Sequence, residues 1–261
     1  MRGRERIVAL SVLWLTMSVL VACAPASKKR ESERSAAESQ SLIRAKVHTE
    51  LGSAYYESAQ YGVALEELNE AVAADSRYAP AYNSLGLVYM ALREEKKAQD
   101  SFEHSLRIDP EDSAANNNYG LLLCQIKKEK DGIRHFLMAL KNPLYEQADM
   151  ALTNAGVCSR KIGDDKGAEE LFGKAIALRP NNAAALFNLA ELKFKFGNFD
   201  AARGFLKRHL QNSPSQSDSL WLGARIEHRL GDNEARSSYG AQLKNRFPDS
   251  AETQAFEAGK F

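Results

Sequence analysis

Small and large apolar residues recur in a fixed pattern that repeats about every 34 residues from residue 45 onward. Within each period they are spaced as on one face of an α-helix, first in one segment and then in a second. The small positions of the first segment are Gly52, Gly86, Gly120, Gly156 and Ala190. Those of the second segment are Ala64, Ala98, Gly132, Ala168, Ala202 and Ala235. Each period therefore predicts two amphipathic helices that cross where a small residue lets them approach.

Large apolar residues and prolines complete the pattern. The large residues predicted to fill the space between successive helix pairs are Tyr55, Tyr89, Leu123, Leu68, Phe102, Phe136, Phe172 and Leu206. Proline has no amide hydrogen and disfavours a helical residue before it. We therefore expect turns between helix pairs at Pro110, Pro180, Pro214 and Pro248.

This period, with its Leu-Gly-x-x-Tyr, Ala and Phe pattern, resembles the tetratricopeptide repeat (TPR). We predict an all-α fold, a TPR superhelix of about six helix-turn-helix repeats over residues 44–250. A solenoid needs closure at its end, so residues 251–261 are predicted to form a C-terminal cap. The repeats are expected to begin near Ala45, Ala79, Ser113, Asp149, Ala183 and Gln216.

Residues 1–22 lack this period and are predicted to be a signal peptide. Three arginines in the first six residues precede an apolar run of fifteen residues from Ile7 to Val21. A membrane-spanning helix needs about 20 apolar residues. The shorter run is typical of the apolar core of a secretory signal.

The end of this run, Leu20-Val21-Ala22-Cys23, resembles the lipobox of bacterial lipoproteins. In that family the cysteine thiol receives diacylglycerol, so the resemblance implies a lipid on Cys23 that holds the protein to a membrane. Lipoproteins of the inner membrane often carry aspartate after the cysteine. Ala24 stands there in this chain, which implies an outer-membrane anchor with the protein facing the periplasm. An incidental cysteine behind an ordinary signal peptide is the alternative.

Residues 23–43 are polar, without a sustained apolar period, and too poor in apolar surface to offset the entropy of ordering. We predict a lipidated flexible tether, which at about 3.3 Å per extended residue could span roughly 65 Å.

Charge and chemistry point to a protein partner. The chain has 35 basic and 34 acidic residues. It therefore lacks the basic excess that nucleic-acid binding requires. The five histidines are scattered, and no metal, nucleotide or nucleophile motif is present. We expect no catalytic residue, metal, cofactor or small-molecule substrate.

Cys124 and Cys158 stand 34 positions apart, at nearly equivalent places in the first helices of the third and fourth repeats. In an oxidising periplasm such a pair predicts a disulfide. The alternative is two buried core cysteines that never meet.

First-helix positions that face neither the partner helix nor the next repeat are expected to form a partner-binding groove. They combine apolar side chains with asparagines able to bond an extended backbone. The predicted groove residues are Thr49, Ser53, Tyr56, Asn83, Leu87, Met90, Asn117, Leu121 and Gln125, continued by Thr153, Val157 and Arg160. We place the apolar groove in the early repeats and interpret Phe187, Phe194 and Phe199 mainly as core residues.

Two local stretches carry a more specific resemblance. The segment Asn116-Asn117-Asn118-Tyr119-Gly120-Leu121-Leu122-Leu123-Cys124 is similar to one in the type IV pilus biogenesis lipoproteins called PilF or PilW. Leu220-Trp221-Leu222-Gly223-Ala224-Arg225-Ile226, followed by Arg229-Leu230-Gly231-Asp232, is similar to the last repeat of the same family.

The resemblance implies a pilotin-like role, in which the protein binds type IV pilus secretin subunits and helps them reach the outer membrane and assemble. In some members of the family the effect is instead described as stabilising pilus fibres. A periplasmic TPR adaptor for envelope enzymes such as peptidoglycan hydrolases is the alternative.

Overall fold

A computed structural model describes residues 24–261 of the protein, with side chains from residue 36 onward. Cys23 and the predicted signal peptide lie outside the described residues. Within residues 24–261 the chain forms thirteen α-helices and no β-strand. They are α1 (Ala24–Glu57), α2 (Tyr61–Ala74), α3 (Ala79–Ala91), α4 (Glu95–Ile108), α5 (Ser113–Gln125), α6 (Glu129–Ala139), α7 (Ala148–Lys161), α8 (Asp165–Leu178), α9 (Ala183–Lys195), α10 (Phe199–Asn212), α11 (Ser217–Leu230), α12 (Asn233–Arg246) and α13 (Ala251–Glu257).

The chain divides into two units, the first ending at Ser84 and the second covering Leu85–Phe261. In the first unit, α1 and α2 pack as an antiparallel hairpin. Ala64 and Leu68 of α2 are fully buried, as the small and large positions of the pattern predict. His48 Nδ1 and Glu67 Oε2, 2.7 Å apart, add a polar contact between the two helices.

In the second unit, each hairpin packs its second helix against the first helix of the next hairpin. Phe172 of α8 packs in one cluster with Ala185 and Leu189 of α9. Leu206 of α10 packs in the same way with Leu222 of α11. The all-α TPR fold predicted from the sequence is therefore confirmed.

The first helix begins much earlier than the first repeat. Residues 24–43, predicted to be a flexible tether, are helical in the structure. Alanine, lysine, arginine and glutamate, which are frequent there, favour helix even without packing. The side chains of residues 36–40 are exposed, and the first buried side chain among those described is Ala45. Twenty helical residues extend about 30 Å, roughly half the reach of an extended tether.

The turn inside each hairpin places one residue in the left-handed region of backbone conformation. We call this residue the turn position. It is occupied, with the φ angle in degrees, by Ala59 (57), Arg93 (59), Lys127 (62), Gly163 (82), Gly197 (77) and Gly231 (79). Glycine adopts this conformation without steric cost, whereas the other residue types do not. Three hairpins therefore hold an unfavourable residue in the same turn that glycine makes in the other three.

Candidate functional site

The predicted groove residues of the first unit differ in exposure. Ser53, Tyr56 and Asn83 are half-buried and accessible to a partner. Thr49 is only 7% exposed, and its hydroxyl donates to the carbonyl oxygen of Ala45 at 2.7 Å. The prediction that Thr49 lines a binding surface is therefore wrong, because its side chain packs inside the hairpin.

The groove residues of the second unit divide in the same way. Leu87, Met90 and Leu121 are half-buried, and Gln125 is exposed. Asn117, in contrast, is 5% exposed. Its Oδ1 accepts a hydrogen bond of 3.2 Å from Asn154 Nδ2 on α7. Asn117 therefore joins two neighbouring first helices and is unavailable to a partner backbone, contrary to the prediction.

The groove predicted to continue along α7 is also only partly accessible. Val157 and Arg160 are half-buried, and Arg160 Nη1 lies 2.7 Å from the Glu191 carboxylate on α9. Thr153 is 6% exposed, and its hydroxyl donates to the carbonyl oxygen of Asp149 at 2.7 Å. Thr153 was therefore predicted wrongly for the same reason as Thr49, since both hydroxyls bond one turn back within their own helix.

The Asn116–Cys124 segment that carries the resemblance forms a buried polar network. Asn116 Nδ2 donates to the carbonyl oxygen of Pro110 at 3.0 Å, so its Oδ1 is the atom that faces His135 Nδ1 at 2.9 Å. The hydroxyl of Tyr119 donates to Glu103 at 2.7 Å. Burial raises the pKa of Tyr119, and this hydrogen bond raises it further. Burial lowers the pKa of His135. Both side chains therefore stay neutral and serve the packing of these helices.

Cys124 of α5 and Cys158 of α7 form a disulfide in the structure, with their Cα atoms 5.8 Å apart. Both side chains belong to a cluster with the buried Phe136. The bond joins the third hairpin to the fourth at the level of their first helices. In a chain-entropy treatment, closing a loop of this length contributes roughly 3–4 kcal/mol to the free energy of unfolding.

Alkylation of the protein after denaturation without reductant is expected to label no thiol at Cys124 or Cys158. After reduction, both residues should be labelled, because the thiolate is the group that reacts. Mass spectrometry of the two cysteine peptides distinguishes the states. Labelled thiols in the unreduced protein would contradict the disulfide.

An apolar stripe runs along the exposed side of α1. Its members are Ile43 (59% exposed), Val47 (48%) and Leu51 (43%), each one turn from the next. In later repeats the positions equivalent to Val47 and Leu51 are core positions. The pairs are Ala115 and Tyr119, Ala151 and Ala155, and Ala185 and Leu189, all at most 7% exposed.

Sequence reasoning missed this stripe, although the repeat register contained the signal. Val47 and Leu51 occupy register positions that are buried by a preceding hairpin in the second unit. Ala54, one turn further, is exposed as well. The stripe is therefore the interhairpin face of the first repeat, left open to solvent.

A second surface, which we call the late-repeat groove, lies in the second unit. It is a cavity of about 390 Å³, lined by Arg160, Glu191, Phe194, Lys195, Gly197, Phe199, Leu222, Arg225 and Arg229. Phe194 and Phe199 are half-buried and face this cavity, so their interpretation as core residues was incomplete. The groove combines aromatic rings with cationic side chains.

Within residues 24–261, no three side chains of histidine, cysteine, aspartate or glutamate are grouped so that they could hold a metal ion. Among the helices described, none is both long and apolar enough to cross a bilayer.

Comparisons with known proteins agree with the fold and the resemblance. Two tetratricopeptide-repeat family profiles match the chain, over residues 163–225 and 79–112. The type IV pilus assembly protein PilF of Pseudomonas aeruginosa is 28% identical over 213 residues, which are 82% of this chain and 84% of that protein.

Two solved structures show the same similarity in three dimensions. That of P. aeruginosa PilF matches with a TM-score of 0.80 and 27% identity, covering 84% of this chain and 99% of the PilF chain. That of PilW, a widely conserved type IV pilus biogenesis factor, matches with a TM-score of 0.75 and 31% identity, covering 81% of this chain and 97% of the PilW chain. The resemblance to PilF and PilW is therefore confirmed over most of the chain.

Proposed function

Because this chain belongs to the PilF/PilW family of TPR proteins, we propose that it is a pilotin-like lipoprotein of type IV pilus biogenesis. In this proposal, a lipid on Cys23 anchors the protein to the outer membrane. The repeats bind secretin subunits in the periplasm and promote their localisation and assembly. Similarity to a type IV pilus assembly protein and to a pilus biogenesis factor supports the pilus role.

The open stripe on α1 is the observation that carries the protein-binding part of this proposal. In the second unit, the equivalent face is covered by the second helix of the preceding hairpin, as α8 covers α9. A face with this geometry fits an amphipathic helix that presents small and apolar residues along one side. We therefore assign the stripe to a helical segment of the secretin subunit.

Covering the stripe contributes favourable energy to binding, against the cost of association. Val47 and Leu51 each expose nearly half of their side chain. Burial of apolar surface contributes about 25 cal/mol per Å², so covering several such side chains gives a few kcal/mol.

Replacing Val47 and Leu51 together by glutamate is expected to abolish secretin binding. Two carboxylates at the centre of an apolar interface would be buried without partners, which costs far more than the lost contact. We expect at least about tenfold weaker capture of secretin subunits, equivalent to about 1.4 kcal/mol. Secretin multimers in the outer membrane and surface pili should fall to the level of a gene deletion.

The matched control is a double glutamate variant at Leu137 and Leu178, which are 49% and 62% exposed on other helices. It adds the same charge at equally exposed apolar positions and should leave multimers and pili unchanged. Normal secretin multimers and pili in the V47E/L51E strain would overturn the assignment of the stripe. Crosslinking of the stripe to peptidoglycan hydrolases instead of secretin would favour an envelope-enzyme adaptor.

A further inference from the structure

Two arginines of α11 lie over aromatic rings in the late-repeat groove. The guanidinium carbon of Arg225 is 4.4 Å from the ring centre of Phe194, and that of Arg229 is 4.9 Å from the ring centre of Phe199. The two rings are themselves neighbours, with centres 5.5 Å apart. Stacking on an aromatic face stabilises a cation and restricts the long arginine side chain.

The cations of this groove differ in whether a carboxylate neutralises them. Arg160 is paired with Glu191 at 2.7 Å, and Lys195 is paired with Asp165. Among the described side chains, none of the carboxylates lies within 4.0 Å of Arg225 or Arg229. Their stacked faces are occupied, but their edges, which carry the N–H donors, have no acidic partner.

The shape and lining of the cavity suit part of a peptide. Its volume of about 390 Å³ is within the range of ligand sites. Leu222 supplies an apolar wall beside the two phenylalanines. Arg225 and Arg229 are one helical turn apart, which separates their positions along α11 by about 6 Å. Carboxylates at alternate residues of an extended chain, about 6.4–6.8 Å apart, match this spacing.

We propose that the late-repeat groove binds an acidic, extended segment of a partner protein. Two of its carboxylates, at alternate residues, accept hydrogen bonds from Arg225 and Arg229, and an apolar side chain next along the same face of the segment contacts Phe199 and Leu222. Guanidinium groups recognise carboxylates through paired N–H donors, which gives both orientation and affinity. This site is separate from the α1 stripe and does not depend on which partner the stripe binds.

Charge complementarity favours an acidic peptide over other anions. A nucleic acid would need many phosphate contacts, and the chain as a whole has 35 basic against 34 acidic residues. The groove is lined by Phe194, Phe199 and Leu222, which fit an apolar side chain on the same face of the peptide as its carboxylates. Two stacked and pre-positioned guanidiniums reduce the entropy cost of binding.

The test uses the full-length protein and a short fluorescein-labelled peptide, and binding is followed by fluorescence anisotropy. The peptide carries glutamate at two alternate residues and phenylalanine at the next alternate residue, with serine between them, so that all three side chains share one face. We expect saturable binding that weakens as NaCl is raised, because ionic screening reduces charge attraction. The variant R225Q/R229Q should bind about tenfold more weakly or worse. The same peptide with glutamine in place of glutamate should not bind wild-type protein.

The matched control is R236Q, since Arg236 also lies over a ring, Phe261, at 5.5 Å but does not line the cavity. It should bind the peptide as wild type does. If R225Q/R229Q melts at a lower temperature than wild type, its binding is not used. The test then rests on whether the wild-type protein binds the glutamate peptide and not the glutamine peptide.

Equal binding of both peptides, or of wild type and an intact R225Q/R229Q, would overturn the proposal. So would arginine-dependent binding of phosphatidylglycerol vesicles with no binding of the peptide, which would identify a lipid headgroup as the occupant. If the peptide test fails but the V47E/L51E strain loses secretin multimers and pili as expected, only the proposal for the late-repeat groove is wrong and the pilotin proposal is retained. The two results are therefore separable.

Discussion

Replacing Phe172 by alanine is expected to lower the free energy of unfolding of the second unit by about 3–5 kcal/mol. The Phe172 ring is fully buried where α8 meets α9, in contact with a cluster that includes Leu152 and Leu189. Truncation removes its transfer energy and leaves a cavity that the helices cannot collapse to fill. Urea denaturation followed by circular dichroism measures the loss.

Phe196, the residue that follows α9, provides the control, because it is also a phenylalanine but is 52% exposed. Its replacement by alanine should change the free energy of unfolding by no more than about 0.5 kcal/mol. Equal losses in the two variants would mean that the interhairpin contacts of α8 and α9 are not what stabilises this unit. In a repeat array the loss is expected to weaken the neighbouring hairpins as well.

Introducing valine at Gly120 is expected to destabilise the protein by about 3 kcal/mol, the upper end of the usual cost of overpacking. A Cβ at this position would lie 2.9 Å from the Gly132 carbonyl oxygen and 2.9 Å from the Phe136 ring. The approach is reciprocal, since a Cβ at Gly132 would lie 2.8 Å from the Gly120 carbonyl oxygen. Backbone atoms cannot rotate away, so α5 and α6 would have to separate.

A glycine with free space around it should respond in the opposite direction. Gly204, in α10, is exposed, and a Cβ there would meet nothing within 4 Å. Replacement by alanine should stabilise the helix by about 0.5–1 kcal/mol, because glycine is the poorer helix former. Thermal melting should show a lower midpoint temperature for G120V and a higher one for G204A than for the wild-type protein. A neutral G120V would show that α5 and α6 do not cross at this point.

The fold could be predicted from the sequence because each repeat satisfies the same packing requirement. A residue such as Gly120 has a neighbour that tolerates only a small side chain, and a residue such as Phe172 fills a space that every hairpin creates. These requirements recur at fixed spacing, so they appear as a period. The disulfide partners Cys124 and Cys158 were predictable from the same period, because they lie at nearly equivalent positions of adjacent hairpins.

The candidate sites could be predicted only in part, because they depend on contacts without a period. Thr49 and Asn117 were placed on a binding surface by their register, but both side chains are buried and hydrogen-bonded within the protein. The stacking of Arg225 on Phe194 joins residues 31 positions apart on different helices, and it has no counterpart in the other repeats' sequences. The helical state of residues 24–43 follows from propensity without an apolar face, which a search for apolar periodicity does not detect.

Where the turn position is not glycine, it sets a lower limit on the free energy that the contacts between the two helices of that hairpin must supply. Forcing an L-amino acid into the left-handed conformation costs about 1–2 kcal/mol. Ala59, Arg93 and Lys127 accept this cost, with φ angles of 57°, 59° and 62°. In each of these three hairpins, the contacts that hold the two helices together must contribute more free energy than this conformational cost. The hairpins with Gly163, Gly197 and Gly231 do not carry this cost. Weaker contacts between their helices are therefore enough to keep them closed.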